Sequence, residues 1–188
     1  SDGEALAAMV DQAFTNAGFA TEDEHEAIID NREELSTDDD FFCPNDESTV
    51  EQKIDTILGL EASLLNKNKI KNVPYNGIQS GKGSRQIYST AGLFARSSAK
   101  SNSCYAYALM EEGEMNVMEG CGQAGRMFSE IDATAIATEV YHRCEEILEG
   151  KPVESKRYDV IFDSECQPDL FGVFVSMFSG KSAKDGVN

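Results

Sequence analysis

Between positions 157 and 186 the chain reads RYDVIFDSECQPDLFGVFVSMFSGKSAKDG, and this stretch limits the folds open to it more than any other. Tyr158-Asp159-Val160-Ile161-Phe162 is a short apolar run closed by Asp163-Ser164, which predicts a buried strand. Leu170, Phe171, Val173, Phe174, Val175, Met177 and Phe178 then leave almost no polar position in the turns that follow. A helix apolar on every face needs cover, either from the rest of a larger protein or from a partner. The run is far shorter than the ~20 residues that cross a bilayer, so no membrane partner is expected.

A chain of 188 residues is long enough to form a full hydrophobic core. Its charge is lopsided: 34 acidic against 16 basic residues, a formal net charge of -18. Nucleic acid is not an expected partner, because a binder must neutralise phosphates with clustered Lys and Arg. Residues 1–55 hold 17 Asp or Glu and only Arg32 and Lys53 as counter-charges, which reads as a solvated surface rather than an acidic docking face. Cys43, Cys104, Cys121, Cys144 and Cys166 are widely spaced and odd in number, and no secretory segment stands at Ser1. That pattern predicts reduced thiols in a cytoplasm. A chain opening Ser1-Asp2-Gly3 without Met is expected to be a fragment or a processed piece.

Along the chain, Asp2 is placed to cap a first helix carrying Ala5, Leu6, Met9, Val10, Ala13 and Phe14 and ending at Gly18. Acidic clusters and a Phe41-Phe42-Cys43-Pro44 patch then predict a long surface connection from 21 to 48 with one or two short turns. The run Asp38-Asp39-Asp40 lacks the spacing of a calcium loop. Ser48 and Glu51 stand at capping-box spacing ahead of Val50, Ile54, Ile57, Leu58, Leu60, Leu64 and Leu65, so a second helix should run to about Asn66. From Lys69 to Gly122, short apolar runs punctuated by Gly77, Gly81, Gly83, Gly92 and Gly113 predict an antiparallel meander of four or five strands. Asp132 should cap a third helix with Ala135, Ile136, Val140, Cys144, Ile147 and Leu148 on one stripe, stopped at Gly150-Lys151-Pro152. The expected class is α+β, a mostly antiparallel sheet with helices packed on it. Residues 1–66 form its helical and acidic-loop part, and 67–188 the sheet with its packing helices.

No motif assembles a catalytic constellation. Gly120-Cys121-Gly122-Gln123-Ala124-Gly125 spells G-x-G-x-x-G, the pattern that lets a backbone approach a dinucleotide pyrophosphate. Here it follows a meander, Arg126-Met127-Phe128-Ser129 intervene before any helix, and Glu145 and Glu146 fall inside a helix, so a glycine-rich strand end is expected. Gly81-Lys82-Gly83-Ser84 misses the phosphate-loop pattern and predicts a hairpin turn with Lys82 at its tip. His142 and Cys144 point to different faces of one helix, which predicts a surface histidine and no metal site with Glu139, Glu145 and Glu146; the other histidine is His25. Ser101-Asn102-Ser103-Cys104 reads as a polar strand start rather than a reactive thiol, and no G-x-S-x-G is present.

From Lys69 onward an ordered series of short matches resembles the TldD/PmbA family, also called modulators of DNA gyrase, and within it the PmbA (TldE) branch. The series runs through Ile70-Lys71-Asn72 and Tyr75, Gln86-Ile87-Tyr88-Ser89-Thr90-Ala91-Gly92, Ser101-Asn102-Ser103-Cys104-Tyr105 and Glu111-Glu112-Gly113-Glu114-Met115. It ends in Val160-Ile161-Phe162, Glu165, Leu170-Phe171-Gly172 and Phe178-Ser179-Gly180-Lys181-Ser182. The resemblance implies a cytosolic protein more than twice this length that pairs as a dimer, with this chain as part of its N-terminal domain. The protease branch holds zinc through H-E-x-x-x-H on the helix matching residues 170–180, and those positions fall here on Gly172, Val173 and Met177. None of the three can replace an imidazole or act as a general base. The resemblance therefore implies no catalytic and no metal-binding residue in this chain and zinc only in a catalytic TldD-like partner, the pair acting on small or unfolded peptides. An alternative is a homodimeric, non-proteolytic peptide- or protein-binding module of the same fold. A dinucleotide-dependent activity at residues 120–125 is a third, enzymatic reading.

Overall fold

The structure, a computed structural model, describes residues 2–22, 28 and 39–186, and forms two compact units, Ser1–Gly150 and Lys151–Asn188. The first is an α+β unit. Helix α1 (Asp2–Ala17) stops at Gly18 as expected, but begins on Asp2 itself, and its apolar Leu6, Met9, Val10 and Phe14 are exposed. The expected surface connection is described only in part, with one short helix, α2 (Asp39–Phe42). Helix α3 (Val50–Leu65) starts one residue later than the spacing predicts. Thr49 is the cap: its hydroxyl accepts from the Gln52 amide at 3.2 Å, and the Gln52 side chain accepts from the Thr49 amide at 2.9 Å. Asp132 caps α4 (Ala133–Glu149) as expected, accepting from the amides of Thr134 and Ala135 before Gly150 ends the helix.

The meander is present, but with three long strands where four or five were expected: β1 (Ile70–Tyr88), β2 (Phe94–Glu112) and β3 (Met115–Gly125), antiparallel and adjacent in chain order. The glycines misled the count. Gly77, Gly81 and Gly83 lie inside β1, and the chain reverses instead at Gly92 and Gly113, where φ is +93° and +63°. Lys82 is therefore no hairpin tip. It sits within β1, directly opposite Lys100 of β2.

Alternation along β2 decides where the core forms. Asn102, Cys104, Ala106, Ala108 and Met110 all point to one face and are buried there. Against this face pack Leu60 and Leu64 of α3 and Ile136, Ala137, Val140 and Cys144 of α4, with Val73 of β1 closing the cluster. The small side chains of Ala106, Ala108 and Cys104 let two helices lie close over one strand. The opposite face carries Tyr75, Tyr105 and Tyr107, stacked edge to face with neighbouring centroids 6.4 Å apart. The register sets Gly77 and Gly122 on either side of Tyr105, and Gly120 beside Tyr107, so the rings lie over bare backbone. This explains Gly120 as the seat of the Tyr107 ring and Gly122 as a close approach to the Cys104 carbonyl and the Tyr105 Cβ, both within β3, the strand that the glycine-rich motif predicted. Beyond residue 102, β2 no longer has β3 beside it, and residues 81–88 and 94–101 continue as a two-stranded arm.

The second unit corrects the expectation made for residues 157–186. No strand forms at 158–162, and Ile161 is 96% exposed. The single buried helix is replaced by α5 (Cys166–Gly172), a 3-10 turn (Val175–Phe178) and α6 (Gly180–Asp185), with Phe171, Val173, Phe174, Val175, Met177 and Phe178 all exposed. Gly172 followed by Val173, Phe174 and Val175 is a run of weak helix formers, and the helix breaks there. The burial expected of so apolar a run depends on a covering surface that its own unit does not supply.

Candidate functional site

The most built polar site of the first unit is centred on Asp46, just ahead of α3. Its Oδ1 accepts from the Ser48 amide at 3.1 Å. Its Oδ2 accepts from Asn102 Nδ2 at 3.0 Å and from the Phe128 amide at 3.2 Å. Partial burial opposes the charge of Asp46, but the Ser48 hydroxyl and amide, the Phe128 amide and Asn102 outweigh it, and the pKa falls to about 2. Asn102, 1% exposed, also donates to the Arg126 carbonyl at 3.0 Å and accepts from Ser80 Oγ at 2.7 Å. Ser80 Oγ in turn accepts from Lys53 Nζ at 2.8 Å. This chain of bonds joins the residues before α3, the middle of both long strands and the turn after β3. A carboxylate held by three hydrogen bonds and so hard to protonate holds parts together and is a poor base.

Two clefts open on this network. One, about 790 Å³, is lined by Asn45, Ser48, Gln52, Asp55, Met127 and Phe128 among others. The other, about 250 Å³, is lined by Asp46, Lys53, Ser80, Gly81, Lys82, Lys100 and Asn102. Lys100 donates to the Pro44 carbonyl at 2.9 Å, and Lys53 also stands over the Phe128 ring, 5.7 Å from its centroid. These lysines escaped the sequence motifs because they converge only in the fold, Lys82 and Lys100 through strand register and Lys53 through α3 lying beside β1. A signal was nevertheless present: residues 62–110 contain no Asp or Glu, yet hold Lys67, Lys69, Lys71, Lys82, Arg85, Arg96 and Lys100.

The other candidates fall apart spatially. His142 is on the outer surface of α4, 3.6 Å from Glu146, and its pKa is raised, first by a backbone hydrogen bond and then by that carboxylate. Cys144 faces the core and donates to the Ala108 carbonyl at 3.5 Å. Burial pushes the thiols of Cys104 and Cys144 up, and a hydrogen bond with Asp163 pushes up that of the exposed Cys166, so none of the three is an activated thiolate. Residues 120–125 are strand throughout, with no helix start to receive a pyrophosphate. His25 and Asp38 lie outside the described residues, as do the side chains of Asp39 and Asp40. Among the described residues no three His, Cys, Asp or Glu side chains stand close enough to hold a metal ion, and no helix is long and apolar enough to cross a membrane. Gly172 ends α5, Val173 follows it at 76% exposure, and Met177 lies in the 3-10 turn at 51%. The three positions therefore do not share one continuous helix.

Residues 43–146 match the family described as the PmbA/TldA metallopeptidase central domain, which contains both the Asp46 network and the lysine-lined cleft. Two crystal structures share the fold. A candidate modulator of DNA gyrase from Bacteroides thetaiotaomicron VPI-5482 superposes with a TM-score of 0.81 at 15% identity, over 95% of this chain and 42% of that one. A candidate modulator of a DNA gyrase from Thermotoga maritima MSB8 gives 0.68 at 17% identity, over 74% of this chain and 32% of that one. The chain thus spans less than half the length of either protein. No curated protein matches it.

Proposed function

The chain belongs to the PmbA/TldA metallopeptidase family, and from that membership we propose that it is part of a non-zinc subunit of a cytoplasmic peptidase complex acting on small or unfolded peptides. What carries the reading is the trio Gly172, Val173 and Met177, which the resemblance sets at the positions of the protease branch's zinc motif. Zinc takes imidazole, thiolate or carboxylate ligands, and hydrogen, isopropyl and thioether side chains do not fit it. In this reading the chain holds no metal of its own, and zinc, with the hydrolytic chemistry it would supply, would be bound by a catalytic homologue paired with it. In this reading residues 1–188 form part of the N-terminal region of a longer subunit. The exposed apolar side chains of Phe171, Val175 and Phe178 support it, because such a surface is covered when the complete subunit or its partner is assembled.

Co-expression of the full-length protein with a family homologue bearing H-E-x-x-x-H tests this. The two should co-purify, and only the pair should cleave an unfolded polypeptide such as casein, with zinc found in the homologue. Stoichiometric zinc on this protein alone, or cleavage by it alone, would overturn the proposal. A stable homodimer that ignores the homologue would favour the binding module instead.

A further inference from the structure

Lys82 and Lys100 are direct cross-strand partners whose side chains lie on the same face of the β1–β2 pair, and both line the 250 Å³ cleft. Like charges set opposite one another weaken a sheet. Lys53 enters the same cleft from the first turns of α3. Three ammonium groups thus meet in a protein of net charge -18, and no salt bridge to any of them exists among the described residues. Asp46, the one acidic residue among the described residues that line the cleft, accepts from Ser48 on one oxygen and from Asn102 and Phe128 on the other. Lys53 and Lys100 each use one N–H, on Ser80 and on the Pro44 carbonyl, and each ammonium has three. The cleft therefore offers several donors and a net positive field, three ammonium groups against the single carboxylate of Asp46, and its own strands are held in an arrangement that an anion would relieve.

We propose that this cleft, at the root of the two-stranded arm, binds an oxyanion: a phosphate group or a single carboxylate such as a peptide C-terminus. Lys82 and Lys100 supply charge and donors from the two paired strands, and Lys53 from α3. Spherical ammonium donors on flexible stems suit either geometry and select for charge more than for shape. The inference does not depend on the peptidase reading, since the lysines lie on the sheet and α3 and not at residues 172–177.

The test is thermal unfolding of the full-length protein at constant ionic strength in chloride, with up to 10 mM of either inorganic phosphate or N-acetyl-dialanine, whose only charge is its C-terminal carboxylate. Low concentrations keep general salt effects out of the comparison. A saturable rise in Tm of at least about 2 °C is expected with one or both anions. The one that gives it identifies the source. The rise should need at least tenfold more anion in Lys82→Gln and in Lys53→Gln, and be unchanged in Lys71→Gln, whose ammonium lies 3.9 Å from Glu111 outside the cleft. In chloride alone Lys82→Gln should melt no lower than the parent protein, because the cross-strand repulsion is removed. A flat response to both anions, or a response indifferent to Lys82 and Lys53, would overturn the proposal.

Discussion

Asp46→Ala is expected to lower stability by about 2–3 kcal/mol, read from urea unfolding at pH 7. The substitution removes the acceptor for two backbone amides and for the Asn102 side chain, which is then left buried with a donor unpaired. Replacing one partner of a buried bond costs more than the bond's net worth, because the orphaned group has lost its water as well. The ionisation of Asp46 adds a pH dependence whose sign is fixed by its depressed pKa. An ordinary aspartate at 3.8 lies above the value of about 2 in the folded protein, so the stabilisation is complete above pH ~4. It fades as pH falls from there through about 2, a loss of about 1–2 kcal/mol after allowance for solvent screening at a partly exposed site. The parent protein should show that loss between pH 4 and pH 2, and Asp46→Ala should lack it. Equal acid sensitivity in both would mean that the network does not hold this charge.

Gly120→Val is the second large effect, a loss of about 1–3 kcal/mol in the same measurement. A Cβ at Gly120 would stand 2.5 Å from Tyr107 Cε1 and 2.6 Å from its Cγ, so the whole ring, and not merely its tip, has to move. Moving it separates Tyr107 from both Tyr75 and Tyr105. The direction is informative because a glycine in a strand is normally improved by a side chain. Gly83→Ala, where nothing lies within 4 Å, should be neutral or stabilising. In the double variant Gly120→Val with Tyr107→Ala, the combined loss should fall short of the sum of the two single losses.

What the sequence made legible was whatever depends on near neighbours. Asp132 and Gly150 bound their helix as read, because caps act over three or four residues. The start of α3 slipped by one because Ser48 and Thr49 each have a suitable partner three residues on, Glu51 and Gln52, and only the fold chooses between them. The strand count failed at Gly77, Gly81 and Gly83, since a glycine that ends a strand looks the same in one dimension as one inside it, whether it seats a ring as Gly77 does or meets open space as Gly83 does. The lysine cleft left only the acid-free stretch 62–110 as a trace, because residues 82 and 100 meet through strand register and residue 53 through the packing of α3, and no local pattern encodes either. At residues 157–186 the apolar character was plain, but burial is a property of the covering surface, and that surface is not part of the local sequence.

The arm formed by residues 81–88 and 94–101 also sets how the sheet exchanges its amide protons. Further along, β2 is flanked by β1 and β3, so amides on both its edges have partners; past residue 102 only the β1 edge is bonded. Within the arm alternate amides of each strand therefore face solvent, and the bonded ones can open without disturbing the core beneath α3 and α4. Deuterium uptake should thus rise from Met110 toward Phe94 in a step near residue 102, marking where a three-stranded sheet becomes a ribbon.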